Sequence, residues 1–123
     1  MSFVLKKKHS YTWPITLILP IDGGRREKET FDGEFKRLPQ SRINEIVKQA
    51  RAMEARYRED DEILEDQSVA KEVLIGWSGV VDDDGKEIKF GESTLNQLLE
   101  IPTIASQIVK AWFESNELAK KKN

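Results

Sequence analysis

Phe35-Lys36-Arg37-Leu38-Pro39-Gln40-Ser41-Arg42-Ile43 is the stretch where the apolar period of this chain changes. Before it, residues that want burial recur at every second position; after it, they recur at every third or fourth. The first period is that of a strand with one buried face and the second that of an amphipathic helix. Pro39 ends the strand, and Ser41 is placed to cap the helix by accepting a hydrogen bond from an early backbone amide.

Working back toward the N-terminus, Trp13, Ile15, Leu17 and Leu19 alternate with Thr12, Pro14, Thr16 and Ile18, which predicts a strand. Pro14 lacks an amide hydrogen, so this strand belongs at a sheet edge. Pro20-Ile21-Asp22-Gly23-Gly24 supplies a turn, because its two glycines tolerate positive φ. The returning strand carries Phe31, Gly33 and Phe35 on one face, set against Trp13 and Ile15. A two-stranded hairpin is marginal alone in water and must lay its apolar face on the helices C-terminal to it. Residues 1–10 mix Phe3-Val4-Leu5 with Lys6-Lys7-Lys8 and read as a mobile arm.

Working forward, Ile43, Ile46, Val47, Ala50, Met53 and Tyr57 form the stripe of a helix of about four turns. The acidic run Glu59-Asp60-Asp61-Glu62 disfavours one helix end and favours the next helix start, which places a break near Asp60. Ile63, Leu64, Ala70, Val73 and Leu74 form a second stripe, with Gly76 read as its left-handed C-terminal residue and Trp77 folding back onto it. Val80-Val81 and Ile88 to Phe90 flank Asp82-Asp83-Asp84-Gly85-Lys86, a strong turn signal for a small hairpin or ordered loop. Ser93 is placed to cap a helix bearing Leu95, Leu98 and Leu99, and Pro102 to open a last helix bearing Ile104, Ala105, Ile108, Val109 and Trp112. The expectation is a single α+β domain over 1–123: arm 1–10, β-hairpin 12–38, a helical part 41–118 of about four helices, and a frayed basic tail 119–123.

Composition narrows function. With 34% charged and 38% hydrophobic residues the chain has enough apolar mass to fold under a charged surface. A net charge of -2 and terminal lysine runs give no broad basic face for nucleic acid. No apolar run reaches the ~18 residues of a membrane span. There is no cysteine, hence no disulfide, zinc-thiolate site or thiol nucleophile. An EF-hand loop starting at Asp82 would need Glu where Ser93 stands, and one starting at Asp84 would need it where Leu95 stands. His9, the single histidine, has no neighbour to orient it as a base, and Gly76-Trp77-Ser78-Gly79 lacks the pattern of a nucleophile elbow. The reading is of a non-enzyme without cofactor or metal.

Binding is left to large apolar side chains, which dominate interface energies. Trp112 and Phe113 are adjacent and cannot both point inward on one helix, so one is expected to be partly exposed. The candidate partner surface is Trp77, Leu95, Leu98, Trp112 and Phe113.

Two stretches carry a family likeness. Phe35 to Ile43 resembles the strand-to-helix junction, and Gly76-Trp77-Ser78-Gly79-Val80-Val81-Asp82-x-Asp84-Gly85 with Phe90 and Leu98-Leu99-Glu100-Ile101-Pro102 resembles the C-terminal half, of tail assembly chaperones of long-tailed bacteriophages. The resemblance implies a non-enzymatic protein of the host cytoplasm that keeps the tape measure protein soluble until tail-tube subunits replace it. It implies tape measure and tail tube proteins as partners, and often a longer frameshifted product. Lys120-Lys121-Lys122 can be encoded by a run of adenines on which ribosomes slip; the other reading, which the residues favour, is a solvated basic tail that complements the last helix's dipole. Avidity for a long client further predicts a homo-oligomer. The alternatives are a small structural virion protein, either a head-tail connector or tube-associated, and a cytoplasmic adaptor unrelated to phage.

Overall fold

The computed structural model describes residues 8–56 and 59–116 together with residues 3 and 5, with side chains described outside 53–65. Its elements are β1 (Ser10–Ile21), β2 (Arg25–Lys36), α1 (Gln40–Arg56), α2 (Glu59–Val73), β3 (Leu74–Ser78), α3 (Glu92–Leu99) and α4 (Ile104–Ser115). The architecture is α+β, a three-stranded antiparallel sheet in the order β1-β2-β3 with four helices.

The hairpin has the expected faces. Ile15 stands opposite Phe31 and Trp13 opposite Gly33, and Ile15, Leu17, Phe31 and Phe35 are buried. Gly33 is needed for this approach, because a Cβ there would collide with the Cδ1 of Ile15. The tip turns through Asp22–Gly24, where Gly23 and Gly24 take φ of 81° and 73°. β1 is an edge strand, as Pro14 requires. Its free edge is partly closed by α4: the Gln107 side-chain amide accepts from Ile18 N–H at 2.7 Å and donates to Ile18 C=O at 3.0 Å, as a neighbouring strand would. The hairpin begins earlier than expected, at Ser10, and the Arg37 amide donates to the His9 carbonyl at 2.7 Å, so His9 continues the ladder.

The junction at Pro39 behaves as expected, with one shift. Helix α1 starts at Gln40, and the Pro39 carbonyl accepts from the Arg42 and Ile43 amides, so Pro39 rather than Ser41 takes the capping position. Ile43 and Ile46 are buried, whereas Ala50 is exposed, so the stripe is used at its N-terminal end. Met53, Tyr57, Ile63 and Leu64 lie outside the described side chains. α1 is described to Arg56 and α2 from Glu59, so Asp60 lies within α2, and residues 57 and 58 between them lie outside the described residues. Arg42 ties the start of α1 to the end of α2: its Nε and Nη2 donate to the two carboxylate oxygens of Glu72 at 2.8 and 2.7 Å, and Nη1 donates to Glu45 at 2.9 Å. A two-pronged guanidinium-carboxylate contact fixes geometry better than a single ion pair.

Three local expectations are corrected. Gly76 is no helix terminus: α2 passes at Val73 directly into β3, and Gly76 sits opposite Glu34. Glycine gives the Glu34 side chain room there, since a Cβ would lie 2.7 Å from its carboxylate. Ser93 does not cap α3, whose cap is Gly91; the hydroxyl that ties this end is that of Thr94, donating to Lys89 C=O at 2.9 Å and Gly91 C=O at 3.1 Å. Pro102 does not open α4, which starts at Ile104 after Thr103 adopts φ 71°. The chain needs that left-handed residue to swing from α3 to α4.

The core gathers Ile15 and Phe35 from the sheet, Ile46, Val69, Ala70 and Val73 from α1 and α2, and Ile104, Ile108 and Trp112 from α4. Trp112 is 1% exposed and leans on half-buried Phe113, ring centroids 5.0 Å apart, so the adjacent pair divides inward and outward as expected.

Candidate functional site

β3 is short, and its pairing with β2 ends at Asp32 opposite Ser78, so the outer half of the β1-β2 hairpin has no third strand. Gly79, at φ 89°, then turns the chain away from the sheet. The space beside the hairpin is bounded instead by the 80–90 loop and by α3. It is an apolar groove of about 430 Å³ floored by Leu17, Phe31 and Ile104 and walled by Trp77, Val80, Val81, Ile88, Leu98 and Ile101.

Trp77 is the fixed wall. Its indole Nε1–H donates to the Ile88 carbonyl at 2.8 Å, and its ring meets Phe31 and Phe90 edge-on, centroids 6.2 and 4.9 Å apart. Such pairs orient the rings as well as bury them. Trp77 therefore packs against the sheet and the loop, where a stripe of α2 was expected. The loop that Trp77 contacts is a small hairpin: Val81 bridges Glu87, Ile88 N–H donates to Val80 C=O at 2.7 Å, and the Asp82 carboxylate accepts from the Asp84 and Lys86 amides at 2.9 and 3.0 Å. Asp82 thus serves the turn, and Gly85 supplies its positive φ of 81°. The lip is apolar and accessible, with Val81 53% and Ile101 41% exposed.

Of the five sequence candidates, the structure brings together Trp77 and Leu98. Leu95 faces the core from the same helix, 6% exposed. Trp112 is buried and offers no surface. Phe113 lies nine residues beyond Ile104 on α4, roughly 13 Å along the axis, and does not line the groove. Sequence reasoning missed Leu17, Phe31, Val81, Ile88 and Ile101 as lining residues. The signal available was the turn at Asp82 to Lys86, which predicts that its apolar flanks meet; nothing local shows that they meet beside the hairpin.

Glu29 and Thr30 are the groove's polar lining from the sheet, with Thr94 and Gln97 from α3. Among the described residues no group of three His, Asp or Glu could hold a metal ion, and no helix is long and apolar enough to cross a membrane. Another depression, of about 630 Å³, lies between α4 and the outer face of the hairpin, with Arg26, Lys28 and Lys110 beside Pro14, Ile18 and Pro20.

An α+β domain with a partly open apolar groove defines the class. Within that class, a family model described as YdaY prophage protein matches residues 30–123, well over half of the chain, and includes β3, the 80–90 loop and α3. The chain belongs to this prophage protein family and is phage-derived. No curated protein and no solved structure matches it significantly.

Proposed function

We propose that the protein is a non-enzymatic tail assembly chaperone whose groove holds an amphipathic segment of the tape measure protein in the host cytoplasm. The observation that carries this reading is the groove itself: an apolar floor, an aromatic wall locked by Trp77, and accessible Val81 and Ile101 at the lip. Helix-in-groove docking masks the apolar face of a long helical client, and several copies along that client supply avidity that one small site lacks. Phage origin and the resemblance of the 35–43 and 76–102 stretches to tail assembly chaperones support it.

Co-expression with the tape measure protein of the same prophage tests it. Wild type should keep the client soluble, Ile101→Lys should fold yet fail, and Phe113→Ala, away from the groove, should behave as wild type. A soluble client with Ile101→Lys, or an insoluble one with wild type, rejects the reading. Recovery of the protein as a stoichiometric part of purified virions would favour a structural role instead.

A further inference from the structure

We propose that residues 3–8 of one copy dock in the groove of a second copy, so that the chain associates head to tail and a client segment competes with this arm. The inference rests on the reading of the groove as a docking site and goes beyond it by naming a second occupant.

The arm and the groove match in chemistry. Phe3-Val4-Leu5 is followed at once by Lys6-Lys7-Lys8, and Phe3 and Leu5 are 77% and 85% exposed, more than Val81 or Ile101 at the groove lip. The groove presents the complement, an apolar floor with Glu29 in its lining. The charged residues next in the chain to its lining include Asp82, Glu87 and Glu100, against Lys28 and Lys89 of opposite sign. Apolar side chains entering the floor while an ammonium group meets Glu29 satisfy both parts of the arm.

Reach decides between a chain's own arm and its neighbour's. Leu17, in the groove floor, lies seven residues along β1 from Ser10, roughly 24 Å at about 3.4 Å per residue. Phe3 lies seven residues before Ser10, so its own arm would need full extension and a reversal at Ser10. The flank it would follow is held by α4, from the Tyr11 hydroxyl bonded to Ser115 at 2.6 Å to Ile18 clasped by Gln107. A second copy meets neither obstacle. Arm and groove are different surfaces, so the contact is heterologous and repeats from copy to copy.

Sedimentation velocity on the full chain tests this with two double variants, Phe3→Ser with Leu5→Ser, and Val81→Lys with Ile101→Lys. Each should weaken self-association at least about ten-fold, as expected when buried side chains of this size are lost. An equimolar mixture of the two keeps one intact arm and one intact groove, and should form a one-to-one heterodimer and nothing larger. The groove substitutions lie at exposed positions, and a cooperative melt verifies folding; Val81→Lys alone replaces the pair if it fails to melt cooperatively. A monomeric wild type, an arm variant that associates as tightly as wild type, or a mixture without heterodimer overturns the proposal. The arm variant should hold the tape measure protein at least as well as wild type. If it dissociates as expected but holds no client, the chaperone reading fails while the arm contact stands; if it holds client and wild type is monomeric, the reverse is true.

Discussion

The Nε1–H of Trp77 donates to the main-chain carbonyl of Ile88, 2.8 Å away, and this bond ties the sheet to the 80–90 loop that lines the groove. A half-buried carbonyl without its donor loses the compensation for its desolvation. Trp77→Phe keeps an aromatic ring beside Phe31 and Phe90 but removes the donor. It should destabilise the protein by about 1–3 kcal/mol in urea denaturation, and amide exchange should speed up at Asp82 and Ile88 more than in β1.

Ile108 and Trp112 carry the inner face of α4, at 0% and 1% exposure. Ile108→Ala should cost about 2–5 kcal/mol and Trp112→Ala about 3–5 kcal/mol, since each leaves a cavity that the sheet and α2 cannot fill. Half-buried Phe113→Ala should cost less than either. Equal melting temperatures for wild type and both core variants would contradict the packing described.

The contact of Arg42 with Glu72 has a pH signature. Hydrogen bonding from the Arg42 guanidinium holds the Glu72 carboxyl below its usual range, and the Glu72 and Glu45 carboxylates keep Arg42 protonated. A carboxyl whose folded pKa is depressed adds stability above its unfolded pKa, normally near 4, and that stability is lost as pH falls through the folded value. Glu72→Gln should therefore melt below wild type at neutral pH, and the difference should shrink under acid conditions. Arg42→Lys should resemble Glu72→Gln, because an ammonium cannot reproduce the two-pronged contact. A difference between wild type and Glu72→Gln that stays constant from neutral to acid pH would remove the role given to this pair.

Gly33 stands opposite Trp13 on the buried side of the hairpin, where an added methyl would meet the side chains of Ile15 and Leu74. Gly33→Ala should cost about 1–3 kcal/mol through overpacking. Gly24→Ala, with open space around its Cβ but φ 73°, tests backbone conformation instead. Both are read by thermal melting.

The hairpin, its faces, its edge position and the α+β class were legible because they rest on local period and on proline and glycine chemistry. Phe31, Gly33 and Phe35 could be assigned to one face from alternation alone. β3 was not legible: Leu74-Ile75-Gly76-Trp77-Ser78 adjoins an apolar helical stripe, and only pairing with distant Asp32 to Phe35 makes it a strand. Tertiary pairing overrode the local signal, since Gly76 reads as a helix end until Glu34 is seen against it. The candidate site was half legible for the same reason. Trp77 and Leu98 are brought together by a strand and a helix far apart in sequence, whereas Trp112 and Phe113 were chosen for being aromatic, a property that cores and interfaces share.

The account stands on the groove as the place where a client docks. Methyl-detected NMR titration of the protein with an amphipathic segment of the tape measure protein of the same prophage tests this most directly. The account predicts that Val80, Val81, Ile88, Leu98 and Ile101 shift together with Leu17 at the floor, while Ile43, Ile46 and Val47 on α1 stay in place. Saturable binding that moves α1, or the Pro14 to Pro20 face of β1, and leaves Val81 and Ile101 unmoved would contradict it.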